Sequence, residues 1–527
     1  MANQRERKRS FDSKWLVLVI IIIPVILTTV MLNKNHTDDS ANKINGTISA
    51  DNGDLKIDWS RYPTSSIELS ESLTITKSGT YHLNGSIENG YIAVNGDSTS
   101  KIRLILDSVS ISNPNGPAIY CSEADDLVIE FTGDNALEDS SSYSSDFDTD
   151  VTGVIYSKGD LAIKGDGTLK INANYADGIV GKDDLKFEGG KYTIISKDDG
   201  IRGKDSVYII DGDFNIKSEA DAIKSTNETD GDKGFVMIED GSFNIEASAK
   251  GIKAINSILI YGGDFALNTY DDAIHSNNYI GIIDGEITIS ANDDAIHADS
   301  ELIIDGGKIT ISKAYEGLEA QTVTINNGDI NIITLDDGIN AGGGNDASST
   351  NRPGANPFNA DEKCKIVISG GKIHIDSSGD GVDSNGWVYF NGGEVTIDGP
   401  TNNGNGSLDS GMGIVQNGGE VIAVGSNGMA ENLGQSSEVF NVSIYLDGAY
   451  PAKTRIDIIG SNNKTIISYI PAKTFSHIAV GTPDFEFGGT YTIYLDGEKY
   501  QSFTISDTLT TIGNSNSNQN MPPRNKP

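Results

Sequence analysis

The sequence predicts an all-β chain: a right-handed parallel β-helix with rungs of about 22 residues. A small C-terminal antiparallel β module and one N-terminal transmembrane helix complete the expected fold. Three observations predict the β-helix. A carboxylate pair, a small residue and an aliphatic recur on a period near 22, as in DDAIHS (271–276) and DDAIHA (293–298). Short alternating apolar runs fill the space between these blocks, as in KYTIIS (191–196) and GEITIS (285–290). Gly-Gly or Asp-Gly marks the next corner, as at Gly189–Gly190, Gly306–Gly307 and Gly392–Gly393. A period of this length with several short strands is the mark of a solenoid, whose core exists only by stacking one rung on the next. Left-handed β-helices use hexapeptides, so the longer rung argues for the right-handed form.

The elements follow in chain order. Residues 1–14 are basic, with Arg5, Arg7, Lys8, Arg9 and Lys14, and precede 18 uncharged residues at 15–32. That stretch is long enough to span a bilayer, and the flanking charge keeps the N-terminus in the cytoplasm. A retained signal-anchor is the first reading and a cleaved signal peptide the second. The first places the chain on the extracellular face of a bacterial cell membrane as a single-pass protein; the second secretes it. Residues 33–60 read as a linker, 61–439 as the β-helix and 440–512 as a capping β module. Residues 513–527 read as a disordered tail by composition. An exposed solenoid end needs a cap. Insertions interrupt the period near 226–233 and at 342–363, the latter leaving the side that carries the repeated carboxylates and placed to lid a groove there.

Net charge is −36, with no basic stripe, which excludes nucleic acid as a partner. Cys121 and Cys364 fall about ten rungs apart, roughly 45 Å at strand spacing, so two free buried thiols are expected. A monomer is expected.

The second member of each pair forms a column: Asp177, Asp199, Asp221, Lys250, Asp272, Asp294, Glu316, Asp337 and Asp380. The slot after it takes Gly or Ala, so it demands small size and not a left-handed backbone. The aliphatic after that belongs to the core. The aspartates have two readings. A single Asp pair is an ordinary turn that bonds nearby amides. Stacked like charges about 4.8 Å apart repel by roughly 0.9 kcal/mol in bulk water and roughly 3.5 kcal/mol at an effective dielectric of 20, a cost that Asn or Ser would avoid. A hard divalent cation removes that cost, and calcium tolerates irregular sets of oxygen ligands. The expected calcium ligands are Asp198, Asp199, Asp221, Asp271, Asp272, Asp293, Asp294, Glu316, Asp336, Asp337 and Asp380. The block around Asp271–Asp272 and Asp293–Asp294 is the first place expected to hold an ion.

Three positions beyond the column lies a mixed slot with Arg202, Lys224, Lys253, His275, His297, Glu319, Asn340 and Asp383. A mixed slot suggests an outward face. Its basic members either salt-bridge the aspartates or meet the carboxylates of a ligand. Stacked His275 and His297 leave zinc open as a weaker alternative. The expected ligand-binding residues are Arg202, Lys224, Lys253, Tyr270, His275, His297, Tyr315 and Asn340, with the tyrosines placed to stack on sugar rings.

The repeated DDGI blocks, DDAIHADSELIIDGGKITIS, AYEGLEAQTVTINNGDINI and NGSLDSGMGIVQNGGEVIAVGSNGMA resemble the bacterial carbohydrate-binding-domain β-helix family over roughly 60–505. That resemblance implies a right-handed parallel β-helix similar to pectate lyases, bound calcium, and affinity for acidic plant polysaccharide such as polygalacturonate without established catalysis. Lys250 departs from the column, and Ala220 and Ala249 from the residue before it, which splits the column into separate sites. The expected function is non-catalytic, calcium-dependent binding of acidic polysaccharide. The alternatives are a polysaccharide lyase with Arg202, Lys204 or Lys224 as base, and a calcium-stapled structural adhesin. Repetition of one constellation favours ion binding over chemistry, which normally uses a unique one.

Overall fold

A computed structural model describes residues 53–342 and 360–514. The expected membrane segment at 15–32, most of the insertion at 342–363 and the tail beyond 514 lie outside the described residues. Among the described residues no helix is long and apolar enough to cross a membrane.

The chain winds into a β-solenoid of three parallel ladders. The first ladder holds the three-residue strands of the repeat, among them Ile201–Gly203, Ile223–Ser225, Ile252–Ala254 and Ile274–Ser276. Their aliphatics pair in strict register: Ile179 with Ile201, Ile201 with Ile223, Ile223 with Ile252 and Ile252 with Ile274. All are fully buried. The third ladder shows the simplest logic. Its strand Asp264–Thr269 alternates exposed and buried along its whole length, as one buried face requires. Aromatic residues stack down its core face, with Tyr192, Phe214, Phe243 and Phe265 at centroid spacings of 4.5, 5.1 and 4.6 Å and rings within 5° of parallel. Rung spacing alone dictates this offset stacking.

The Gly corners have two causes. Gly285, Gly307 and Gly328 lie at φ +123°, +86° and +127°, where a side chain is strained. A Cβ on Gly307 would also sit 2.8 Å from the Gly285 carbonyl oxygen below it. The Gly/Ala slot after the column behaves differently, as its sequence pattern indicates. A Cβ on Gly200 would meet the Ala222 carbonyl oxygen at 2.6 Å, and none of these glycines has positive φ.

The second ladder departs from simple alternation. Phe235–Ile238 is buried at all four positions. Near the N-terminal end the covering layer comes from residues 54–61, which the sequence assigns to a linker. Two 3-10 turns, Asp54–Lys56 and Trp59–Arg61, form there instead. Asp54 accepts a hydrogen bond at 2.7 Å from Lys186, an amine only 1% exposed on the outer face of the second ladder. The Arg103 guanidinium lies over the Trp59 ring at 5.9 Å. A buried amine on an otherwise apolar face needs such a partner, so the segment is part of the body.

The solenoid ends where pairing changes sense. Glu420–Gly425, the last strand of the third ladder, pairs antiparallel with Phe475–Gly481. Asn441–Tyr450 continues that sheet, and a separate four-stranded antiparallel sheet of Thr465–Tyr469, Ile456–Gly460, Thr490–Leu495 and Glu498–Thr504 lies beyond it. The two share a second apolar core that includes Val442, Ile458, Ile478 and Ile493. Cys121 and Cys364 are both free and buried.

Candidate functional site

The column carboxylates form a ladder of their own. Asp177 Oδ1 accepts the backbone N–H of Asp199 at 3.0 Å, and Asp199 Oδ1 accepts that of Asp221 at 3.2 Å. The pattern continues from Asp221 to Lys250, Asp272 to Asp294, Asp294 to Glu316, Asp337 to Asp380 and Asp380 to Gly406. Each of these seven aspartates thus caps the amide one rung on. This satisfies a corner amide that strand pairing leaves over, and it explains why an acceptor recurs on schedule. Lys250 cannot accept, and the Asp272 N–H instead bonds Asp271 Oδ1 at 2.9 Å.

The second carboxylate oxygen distinguishes one part of the column from another. In the N-terminal part, protein cations occupy it. Arg202 reaches Asp177 at 2.6 Å, and Lys224 reaches Asp199 at 2.9 Å and Asp221 at 3.1 Å. The basic members of the slot here salt-bridge the aspartates. Burial works to lower the Lys224 pKa, and the Asp199 and Asp221 carboxylates outweigh it and raise the pKa. Burial also pushes Asp199 up to about 6 against the pull of Lys224. Lys253 is half-buried, in register between Lys224 and His275. Asp198 stands outside the ladder and is exposed.

In the block expected to hold an ion first, Lys250 already stands in the cation position. Its ammonium lies 2.8 Å from Asp271 and 2.5 Å from Asp272, and His275 Nδ1 adds a contact to Asp272 at 2.8 Å. Burial opposes the charge on Asp272, but His275 and Lys250 hold its carboxyl well below the usual range. One rung on, His297 is buried, contrary to the outward face that the mixed slot suggests. Its Nδ1 lies 2.9 Å from Glu319 and 3.3 Å from Asp294, and its Nε2 lies 3.4 Å from Asp299. Burial favours the neutral ring, but these carboxylates together raise its pKa far above the ordinary histidine value. Donor atoms of Asp294, His297 and Glu319 lie within 4.8 Å of one another, as do those of Asp271, Asp272 and Asp293.

Past His297 the slot turns acidic or neutral, with Glu319, Asn340 and Asp383 in register. Burial, Glu319, Asp294 and Asp337 together push the Glu316 carboxyl well up. Burial and then Asp380, Asp383 and Asp336 push Asp337 up to about 8. Asn340 donates to Glu316 at 2.8 Å, while its buried Oδ1 has no hydrogen-bond partner among the described residues. Hard oxygen donors gathered in this way fit a divalent ion such as calcium. Asp383 is an addition to the expected ligand set, and its signal is its place in the slot, whereas Glu319 in the same slot is engaged by His297.

Tyr270 is 72% exposed and borders a shallow groove of about 310 Å³ with Lys217, Glu246, Asn268 and Asn292. Tyr315 is 37% exposed, and its hydroxyl bonds Asp336, which raises its pKa.

The family model described as a carbohydrate-binding domain-containing protein matches residues 70–338 and 260–406. The chain belongs to this family. A family relative from Acetivibrio thermocellus with the same description is 32% identical over 187 residues, which cover 33% of this chain and 64% of the relative. The match therefore spans less than two thirds of that relative's length. A solved structure, the polysaccharide lyase-like protein from C. thermocellum in a gadolinium derivative, is 28% identical. It covers 46% of this chain and 96% of that chain, with a TM-score of 0.38.

Proposed function

We propose that the protein is a non-catalytic binder of acidic polysaccharide that works through calcium on the outer face of a bacterial cell membrane, anchored by residues 15–32. The observation that carries the reading is the buried Asn340 Oδ1 beside Glu316, without a hydrogen-bond partner among the described residues, in a stretch where neighbouring carboxylates raise one another's pKa. Glu316, Asp337, Asn340, Asp380 and Asp383 are the residues that would hold the ion. Calcium there supplies positive charge that protein and uronate carboxylates share, which reconciles a net charge of −36 with an acidic ligand. Family membership supports a carbohydrate as the ligand, and the exposed Tyr270 ring offers a face for a sugar.

The lyase alternative needs a basic residue that gives up its proton. Lys224 is held protonated by Asp199 and Asp221, and Arg202 is bound to Asp177. Neither environment suits a general base. The test is a polygalacturonate pull-down with the full chain in calcium and in excess EDTA. Binding lost in EDTA and restored by calcium is the expected result. Retention in EDTA overturns calcium bridging, and release of unsaturated, ultraviolet-absorbing products overturns the non-catalytic reading.

A further inference from the structure

The first ladder carries Arg202, Lys224, Lys253, His275 and His297 in one register. Arg202 and Lys224 are donors only, and they pair with column aspartates. His297 holds the same position with an imidazole, whose ring nitrogen can also serve as a metal ligand. It is 1% exposed, and the carboxylates that face it, Asp294 and Glu319, are 3% and 4% exposed.

These groups converge on one ring nitrogen. Glu319 Oε2 lies 2.9 Å from His297 Nδ1, and Asp294 Oδ2 lies 3.3 Å from it. Ligands about 2.0 Å from a tetrahedral zinc ion stand about 3.3 Å apart, so the two separations are those of tetrahedral edges. A proton on Nδ1 has to be shared between two carboxylates, whereas an ion binds both. One imidazolium does not offset its surroundings either. Burial, and then Glu319 and Asp272, push the Asp294 carboxyl well up against the pull of His297. Lys250 is engaged by Asp271 and Asp272 on the preceding rungs.

Each group is also held from behind. Asp294 Oδ1 accepts the Glu316 N–H at 3.0 Å, which turns Oδ2 toward His297. Glu319 pairs in strand register with His297. His297 Nε2 lies 3.4 Å from Asp299 Oδ1, so the ring has a carboxylate on its far nitrogen, the usual support of a ligating histidine. On the preceding rung the His275 ring centroid is 4.9 Å from that of His297, and its Nδ1 is turned to Asp272 at 2.8 Å. Donor atoms of Asp272, His275 and His297 fall within 4.8 Å of one another. Calcium takes oxygen ligands, whereas imidazole suits zinc, copper and nickel.

We infer that His297, Asp294 and Glu319 form a transition-metal site, separate from the calcium stretch around Asp337, and that zinc is the ion whose geometry it fits. Binding sends the Nδ1 proton to solvent, and His275 is the candidate for the fourth position. The sequence leaves zinc open on two stacked histidines; the structure centres it on His297 with two carboxylates. The inference does not depend on the calcium reading.

The test is calorimetric titration of the full chain, free of any histidine tag, with zinc chloride. One ion per chain is expected to bind, with equal affinity in the absence of calcium and in about 5 mM calcium, which is above the range of extracellular calcium sites. Cobalt is expected to give the intense visible bands of a four-coordinate ion, and zinc to abolish them. H297N is expected to lose the site. E319Q keeps the shape and is expected to weaken zinc at least about tenfold. D299N changes a partly exposed residue beyond the ligands and is expected to weaken zinc about tenfold. The inference is overturned if zinc does not bind at up to about 100 μM. It is also overturned if calcium displaces the zinc, or if E319Q and D299N both bind as the parent does. Should H297N fail to fold, E319Q and D299N decide the matter, and a polygalacturonate pull-down that does not respond to calcium leaves the zinc result standing.

Discussion

Asp272 Oδ1 accepts the backbone N–H of Asp294 at 3.1 Å, and the other oxygen of the same carboxylate lies 2.5 Å from the Lys250 ammonium. One side chain thus joins three successive rungs. Asp272→Ala leaves a buried amide without its acceptor and Lys250 with Asp271 alone. A loss of about 3–5 kcal/mol in unfolding free energy is expected, as for a buried pair stripped of one member. Asp272→Asn keeps an acceptor for the amide and is expected to lose less. Urea unfolding of the two variants checks the order, and equal losses would show that the amide bond contributes nothing.

Lys250 stands where the column otherwise has a carboxylate, and its ammonium lies between Asp271 and Asp272. Lys250→Met removes the charge while keeping much of the volume. In EDTA the variant is expected to melt below the parent, since two close carboxylates lose their cation. Added calcium is expected to raise its melting temperature more than that of the parent, because the vacated position now favours a divalent ion. Differential scanning fluorimetry at matched ionic strength reads both effects.

These two cases show where sequence reasoning stops. The period, the Gly corners and the core aliphatics are legible because each follows from a spacing that every rung must obey. The carboxylate column is legible for the same reason. What the aspartates hold is not, because it depends on whether a long side chain reaches up or down a rung. Lys224 serves its own rung at Asp221 and the preceding one at Asp199, whereas Arg202 reaches back to Asp177 alone. A column written as one motif therefore divides into a part whose aspartates bind Arg202, Lys224 and Lys250 and a part around Glu316 and Asp337 whose carboxyls are pushed up by burial and by one another. Asp54 was hidden for a related reason: its partner Lys186 lies 132 residues away, and nothing local marks residue 54 as buried.

Phe243 sits in the middle of the aromatic stack, with parallel rings on both sides at 5.1 and 4.6 Å, and is 1% exposed. Phe243→Ala opens a cavity between two rungs and is expected to cost about 3–5 kcal/mol. Phe243→Leu keeps most of the volume and is expected to cost less. Because each rung contacts only its neighbours, the damage is expected to loosen adjoining rungs first. Hydrogen exchange on the native protein checks this: amides of Asp213–Ser218 and Asp264–Thr269 should lose more protection than those near Glu394–Asp398.

Asp337, pushed up to about 8 by burial and then by Asp380, Asp383 and Asp336, ties stability to pH in a direction opposite to the usual acid unfolding. Its carboxyl binds a proton more tightly in the folded chain than in the unfolded one, where an aspartate titrates near 3.9. Between those values the folded state holds the extra proton, so this group's contribution falls as pH rises from about 4 to about 8, by up to about 1.4 kcal/mol per pH unit. Glu316, raised for the same reasons, acts in the same direction. In EDTA the melting temperature is therefore expected to be higher at pH 5.5 than at pH 8. Calcium competes with the proton for the same oxygens, so it is expected to stabilise strongly at pH 8 and weakly at pH 5.5. Asp337→Asn removes this titration and is expected to flatten both the pH dependence and the calcium response. A calcium response in D337N equal to that of the parent would place the ion elsewhere on the column.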